Sequence, residues 1–104
     1  MLIQFNSSNI PVSQELETTL SGFITKSLKR YSNRITRIEV HLEDENSQKG
    51  GKDDKRCSIE LKAENLEPII ATSKSDNIIQ AVREAANKSK GTLERTLGRI
   101  MDRK

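Results

Sequence analysis

The chain has 104 residues, of which 33% are apolar, 32% charged and only three aromatic. That length suits one domain, residues 1–104, built round a single, mostly aliphatic core, and excludes a second core. The formal charge of +3 is small, but the charges are unevenly placed, and the modest total conceals two basic patches. Thr18 to Ile38 holds five cations (Lys26, Lys29, Arg30, Arg34, Arg37) and no acid, and Arg83 to Lys104 holds seven cations against three acids. Acids compensate in one stretch, at Glu43, Asp44, Glu45, Asp53 and Asp54.

No early basic cluster or long apolar run marks a signal peptide or a membrane span, so the expected setting is cytoplasmic, with no membrane partner. The single cysteine excludes an internal disulfide.

In chain order, Ile3 and Phe5 alternate with polar neighbours and predict a short strand over Leu2 to Asn6, closed by the turn-forming run Asn6 to Asn9. Ser13 is placed to cap a helix, with Glu15 in its first turn. Leu16, Leu20, Phe23, Ile24, Leu28 and Tyr31 extend that helix to about Tyr31, with Gly22 as its weakest interior residue. The period then changes to two. Thr36, Ile38, Val40 and Leu42 form the apolar side of one strand, and Cys57, Ile59, Leu61 and Ala63 that of another. The polar stretch Glu43 to Lys55, with Gly50-Gly51, reads as the tip of a long hairpin. Glu67-Pro68 precedes a third short strand, Ile69 to Ser73, and Ser75 or Asp76 caps a last helix running from Asp76 to Lys104.

The expected fold is therefore α+β with β-α-β-β-β-α order. Two helices pack side by side on one face of a four-stranded, mostly antiparallel sheet. Small residues at Ala85, Ala86 and Ser89 allow a close helix approach.

Little supports catalysis. His41, the only histidine, has the parity of a polar strand face, and Cys57 that of the core. The acids Glu43 to Glu45 with Asp53 and Asp54 match no calcium-loop spacing, and Gly50-Gly51 leads into no phosphate-binding sequence. The reading therefore assigns no catalytic residue, metal, cofactor or small-molecule substrate.

The helices say more. At about 100° per residue, Ile78, Val82, Ala85, Ala86, Leu93, Leu97 and Ile100 share one side of the last helix. Lys88, Arg95 and Arg99 fall within roughly 40° of each other elsewhere on it. Lys26, Lys29 and Arg30 give the first helix its own basic flank. Two basic flanks on neighbouring helices suit phosphate oxygens. Phe5, Phe23 and Tyr31 all take apolar positions, so base stacking is not the expected mode, and folded RNA read through shape and phosphate is. Two other readings fit the same residues: a module for structured RNA in general, and a protein-interaction module working through the acidic hairpin tip.

The order of elements and several short runs carry a resemblance over essentially the whole chain. The runs are Ile35-Thr-Arg-Ile-Glu-Val-His-Leu42, Asp44-Glu-Asn46, Gly50-Gly51, Asp53-Asp-Lys-Arg-Cys57, Gln80-Ala-Val82, Ala85-Ala86 and Leu97-Gly-Arg99. Together they resemble a short, divergent branch of the bacterial ribosome hibernation family, the hibernation-promoting factors and ribosome-associated inhibitors. Departures fall at Asp76-Asn-Ile-Ile-Gln-Ala-Val82 and Lys88-Ser-Lys-Gly-Thr-Leu93, where better-known members carry other sequences. The dimerisation domain of long members and the C-terminal tail of the inhibitor type are not expected here. The resemblance implies a fold like that of a double-stranded-RNA-binding domain. It also implies a non-enzymatic protein, monomeric or weakly dimeric, that binds small-subunit rRNA in the mRNA and tRNA channel and suppresses translation under stress or in stationary phase. By position, Lys26, Lys29, Arg30, Lys88, Arg95 and Arg99 are the implied rRNA contacts.

Overall fold

The structure is a computed structural model that describes residues 1–45 and 54–102, with side chains to residue 100. Its elements are β1 (Leu2–Ser7), α1 (Gln14–Leu28), β2 (Ile35–Asp44), β3 (Lys55–Ala63), β4 (Ile69–Ser75) and α2 (Ile78–Asp102). The strands form one sheet in the order β1-β2-β3-β4. β1 runs parallel to β2, whereas β2, β3 and β4 are antiparallel neighbours. The parallel pair follows from placing a helix between β1 and β2, since such a crossover returns the chain in its starting direction.

α1 starts where a hydroxyl can satisfy a free backbone donor: Leu16 N donates to Ser13 Oγ at 3.1 Å. Glu15 and Glu17 lie in its first turn and Lys26 in its last, each complementing the helix dipole. Leu20, Ile24 and Leu28 are four apart, share one face and are 0% exposed. Each such burial is worth roughly 1.5–3 kcal/mol. The α-helix ends earlier than the periodicity predicts. Lys29–Tyr31 tighten into a 3-10 turn, with Ser32 N bonded to Lys29 O.

β2 and β3 supply the floor of the core through Ile38, Val40, Leu42, Cys57, Ile59 and Leu61, none more than 1% exposed. The pattern fails at one residue. Register passes from Ile35 opposite Ala63 to Arg37 opposite Lys62, so β2 carries an extra residue, Thr36. That bulge turns Thr36 outward and puts Ile35 inside, 3% exposed, the reverse of what strict alternation predicts. Between β3 and β4, Asn65 takes a left-handed conformation (φ 62°) in a turn closed by Leu66 N to Ala63 O. A positive φ at the third turn position favours Asn or Gly.

α2 starts later than expected. Its cap is Asn77, whose Oδ1 accepts from Ile79 N at 2.8 Å and from Gln80 N at 3.4 Å. Ser75 is instead the last residue of β4, where its hydroxyl accepts from Asn77 N. Ala81, Val82, Ala85, Ala86, Ser89 and Leu93 press α2 onto the core with at most 1% exposure. The seal ends there, because Leu97 is half-buried and Ile100 is 47% exposed. Twenty-five helical residues reach about 37 Å, further than the seven to ten residues of β2, β3 and β4 extend beneath them. The expected glycine pair Gly50-Gly51 lies outside the described residues, as do Asp53 and the last two residues of the expected helix.

Candidate nucleic-acid interface

Both helices cover the same face of the sheet, and direct contacts hold them side by side. Arg83 of α2 lies 5.3 Å over the Phe23 ring of α1. Ser27 Oγ donates to Asn87 Oδ1 at 3.1 Å, and the Tyr31 hydroxyl donates to Glu94 Oε2 at 2.6 Å. The bond to Glu94 is the main reason the Tyr31 phenol sits above its usual range. A shallow depression follows this seam, lined by Phe23, Lys26, Ser27, Arg83, Asn87 and Lys90 among others. It gathers three cations from two helices. Arg83 and Lys90 are not on the stripe that the sequence singles out, although their spacing of seven puts them on one helix face.

The stripe itself lies elsewhere. Lys88 and Arg95 line a depression with Ile70, Ala71 and Thr72 of β4. By turn arithmetic they stand roughly 120–160° round α2 from Arg83 and Lys90. Lys88 Nζ donates to Thr72 O at 2.9 Å, occupying an acceptor on β4, an edge strand of the sheet. Arg95 bonds Thr92 Oγ1 at 3.0 Å and Arg99 bonds Thr96 Oγ1 at 3.5 Å, which lays both along the helix. Lys26, Lys29 and Arg30 are all exposed. Arg30 lies 5.8 Å over the Tyr31 ring, at the far end of α1 with Arg34. The helical layer thus carries two cation groups on different sides of α2, with Arg30 and Arg34 at one end, rather than one merged stripe.

Two acids of α2 are engaged by uncharged groups. Glu84 accepts from Ser73 Oγ at 2.8 Å and from Gln80. The Ser73 bond, then Gln80 and the charge of Lys88, hold its carboxyl below the usual range. Glu94 is taken by Tyr31.

The opposite face of the sheet behaves differently. There and at the hairpin, cations meet carboxylates: Arg37 with Glu39 at 2.9 Å, Lys55 with Asp44 and Asp54 at 3.2 Å each, and Lys74 with Glu45 at 3.0 Å. Among the described residues every ion pair lies on these elements and none involves a helix cation. Among the described residues the ion pairs are segregated: all of them lie round the strands, although Arg56, Glu60 and Lys62 of β3 form none, and none lies on the helices.

His41 is exposed on the polar face, and Cys57 is 0% exposed, as their strand parity predicts. Burial pushes the Cys57 thiol up to about 12, which leaves it protonated and inert at neutral pH. One grouping escaped the sequence reading: Glu39, His41 and Glu60 converge, with one potential ligand atom from each inside a mutual distance of 4.8 Å. Glu39 and His41 share a strand face by their spacing, but Glu60 joins them only through the β2–β3 register.

No described helix is long and apolar enough to cross a membrane. A β-α-β-β-β-α sandwich with its helices on one face is the architecture on which the comparisons converge. The chain belongs to the family described as Sigma 54 modulation protein / S30EA ribosomal protein, whose profile matches residues 3–101. A ribosomal subunit interface protein from Coxiella burnetii shares the fold with a TM-score of 0.71 at 20% identity, over 94% of this chain and 99% of that one. The N-terminal domain of Protein Y from Thermus thermophilus does so with a TM-score of 0.75 at 14% identity, over 92% and 99%. No curated protein matches the chain by sequence.

Proposed function

We propose that this protein is a non-enzymatic, cytoplasmic ribosome-associated factor. It acts as one domain, binds small-subunit rRNA in the mRNA and tRNA channel through its helical layer, and suppresses translation under stress or in stationary phase. The observation that carries this reading is the segregation of ion pairs: those among the described residues gather round the strands, while Lys26, Lys29, Arg30, Arg83, Lys88, Lys90, Arg95 and Arg99 form none. Unpaired fixed cations release counterions when they meet phosphate, which drives binding to a polyanion. Family membership and the name of the Coxiella neighbour, a ribosomal subunit interface protein, favour the ribosome as that polyanion.

The mode is contact with phosphate and shape. Arg83 lies over the Phe23 ring and Arg30 over the Tyr31 ring, and the Tyr31 hydroxyl is bound to Glu94, which disfavours base stacking on either ring. Gradient sedimentation of tagged protein from growing and starved cells tests the reading. Co-migration with the small subunit or whole ribosomes at low salt, increasing on starvation, is expected. Folded protein that stays at the top of the gradient overturns it. Equal affinity for ribosomes and for an unrelated RNA duplex replaces it with a general structured-RNA module.

A further inference from the structure

The polar face of the sheet carries a grouping that neither the core nor the helical layer uses. Glu39 and His41 are two residues apart on β2 and project from the same side, away from Ile38 and Val40. Glu60 on β3 is the direct register partner of Glu39. One carboxylate oxygen from each glutamate and one imidazole nitrogen lie within 4.8 Å of one another. β2 and β3 are the two central strands, so ladders on both sides fix the backbone beneath all three residues.

A second observation asks for a cation there. Directly opposed like charges destabilise a strand pair, and Glu39 and Glu60 are such a pair. Arg37 relieves only one side, bonding Glu39 Oε1 at 2.9 Å while also held by Gln4. Among the described residues Glu60 has no ion-pair partner. A cation between the carboxylates removes the repulsion, and the adjacent imidazole decides its type. Calcium and magnesium take oxygen donors, whereas one nitrogen with two carboxylate oxygens suits a borderline metal such as zinc.

We propose that Glu39, His41 and Glu60 form a binding site for a divalent transition metal of the zinc class, with three protein ligands and an open position for water. The bond from Arg37 orients the Glu39 carboxylate, as outer-shell partners do in metal sites. Ligands about 2.0–2.2 Å from a tetrahedral metal stand roughly 3.3–3.6 Å apart, inside the 4.8 Å that bounds these three atoms. Side-chain rotation alone supplies any remaining adjustment, without backbone movement. The site lies on the side of the sheet away from α1 and α2 and is independent of the ribosomal reading.

His41 is the only histidine, so its ring resonances report its ligation without assignment ambiguity. Titration of the full chain with Zn2+ alone, in a non-chelating buffer near neutral pH, is expected to give saturable one-to-one binding with a matching shift of those resonances. His41→Ala and Glu60→Gln should each weaken binding at least tenfold while the chain stays folded. Glu60→Gln should also raise the melting temperature of metal-free protein, because it removes the opposed charge. Absence of saturable binding overturns the proposal. So does unchanged affinity in both variants, which would put the metal on the acids of the hairpin instead. Displacement of Zn2+ by an equal concentration of Ca2+ would overturn the nitrogen-donor assignment.

Discussion

Cys57 and Glu84 show how position sets the chemistry of a side chain. Cys57 has the sulfur of a nucleophile but the surroundings of a core methyl group, and its thiol, raised from 9.0 to about 12, cannot ionise at neutral pH. Folded protein at pH 8 should therefore resist alkylation, and labelling should follow the denaturant unfolding curve, which mass spectrometry would check. Because the folded value is the raised one, the associated stability is complete below about 9 and is lost as pH climbs through the window to about 12. Glu84 is displaced the other way, chiefly by the Ser73 hydroxyl. Its contribution is present above the unfolded carboxyl value and is lost as pH falls through the lower folded one. Ser73→Ala should return the Glu84 titration toward the ordinary carboxylate range in an NMR pH series; an unmoved titration would mean that Gln80 and Lys88 suffice.

Helix ends and interiors offer sharper tests at the scale of elements. A methyl group added at Gly22 meets nothing within 4 Å. Gly22→Ala should thus stabilise the protein by about 0.5–1 kcal/mol through helix propensity alone, raising the melting temperature by a few degrees. Asn77→Ala should do the opposite by about 1 kcal/mol, since it removes the acceptor for Ile79 N and Gln80 N. An equal loss from Ser75→Ala would return the cap to the position that the sequence suggests. Three consecutive residues here, Ser75, Asp76 and Asn77, all have capping chemistry, and only the length of β4 decides among them. Period and burial made every strand and both helices legible, because a half-buried element must repeat at 2.0 or 3.6 residues. The bulge at Thr36 was not legible, since one inserted residue leaves Ile38, Val40 and Leu42 in phase and shows itself only through Ile35.

At the scale of the whole molecule the question is which cations act together, and there the sequence was least informative. Sorting residues by helix groups Lys88 with Arg95 and Arg99; packing groups Lys26 with Arg83 and Lys90, because a seam between helices belongs to neither helix alone. The two groups sit on different sides of α2, which permits a decisive comparison. Lys26→Gln with Lys90→Gln empties the seam of its lysines while keeping the Arg83 contact with Phe23. Lys88→Gln with Arg95→Gln and Arg99→Gln empties the β4 side. If both groups meet rRNA, each variant should weaken ribosome binding and flatten the plot of log affinity against log salt by roughly 0.7–0.9 for each phosphate that is no longer neutralised. The groups share no hydrogen bond, so their effects should add when the variants are combined. The seam should be the more sensitive per residue, because the Lys88 amine already donates to Thr72 O and gives up that bond to reach a phosphate. Sedimentation across a salt series reads both quantities. A seam variant with wild-type affinity and slope would confine the interface to the β4 side of α2, and the reverse result would confine it to the groove between the helices.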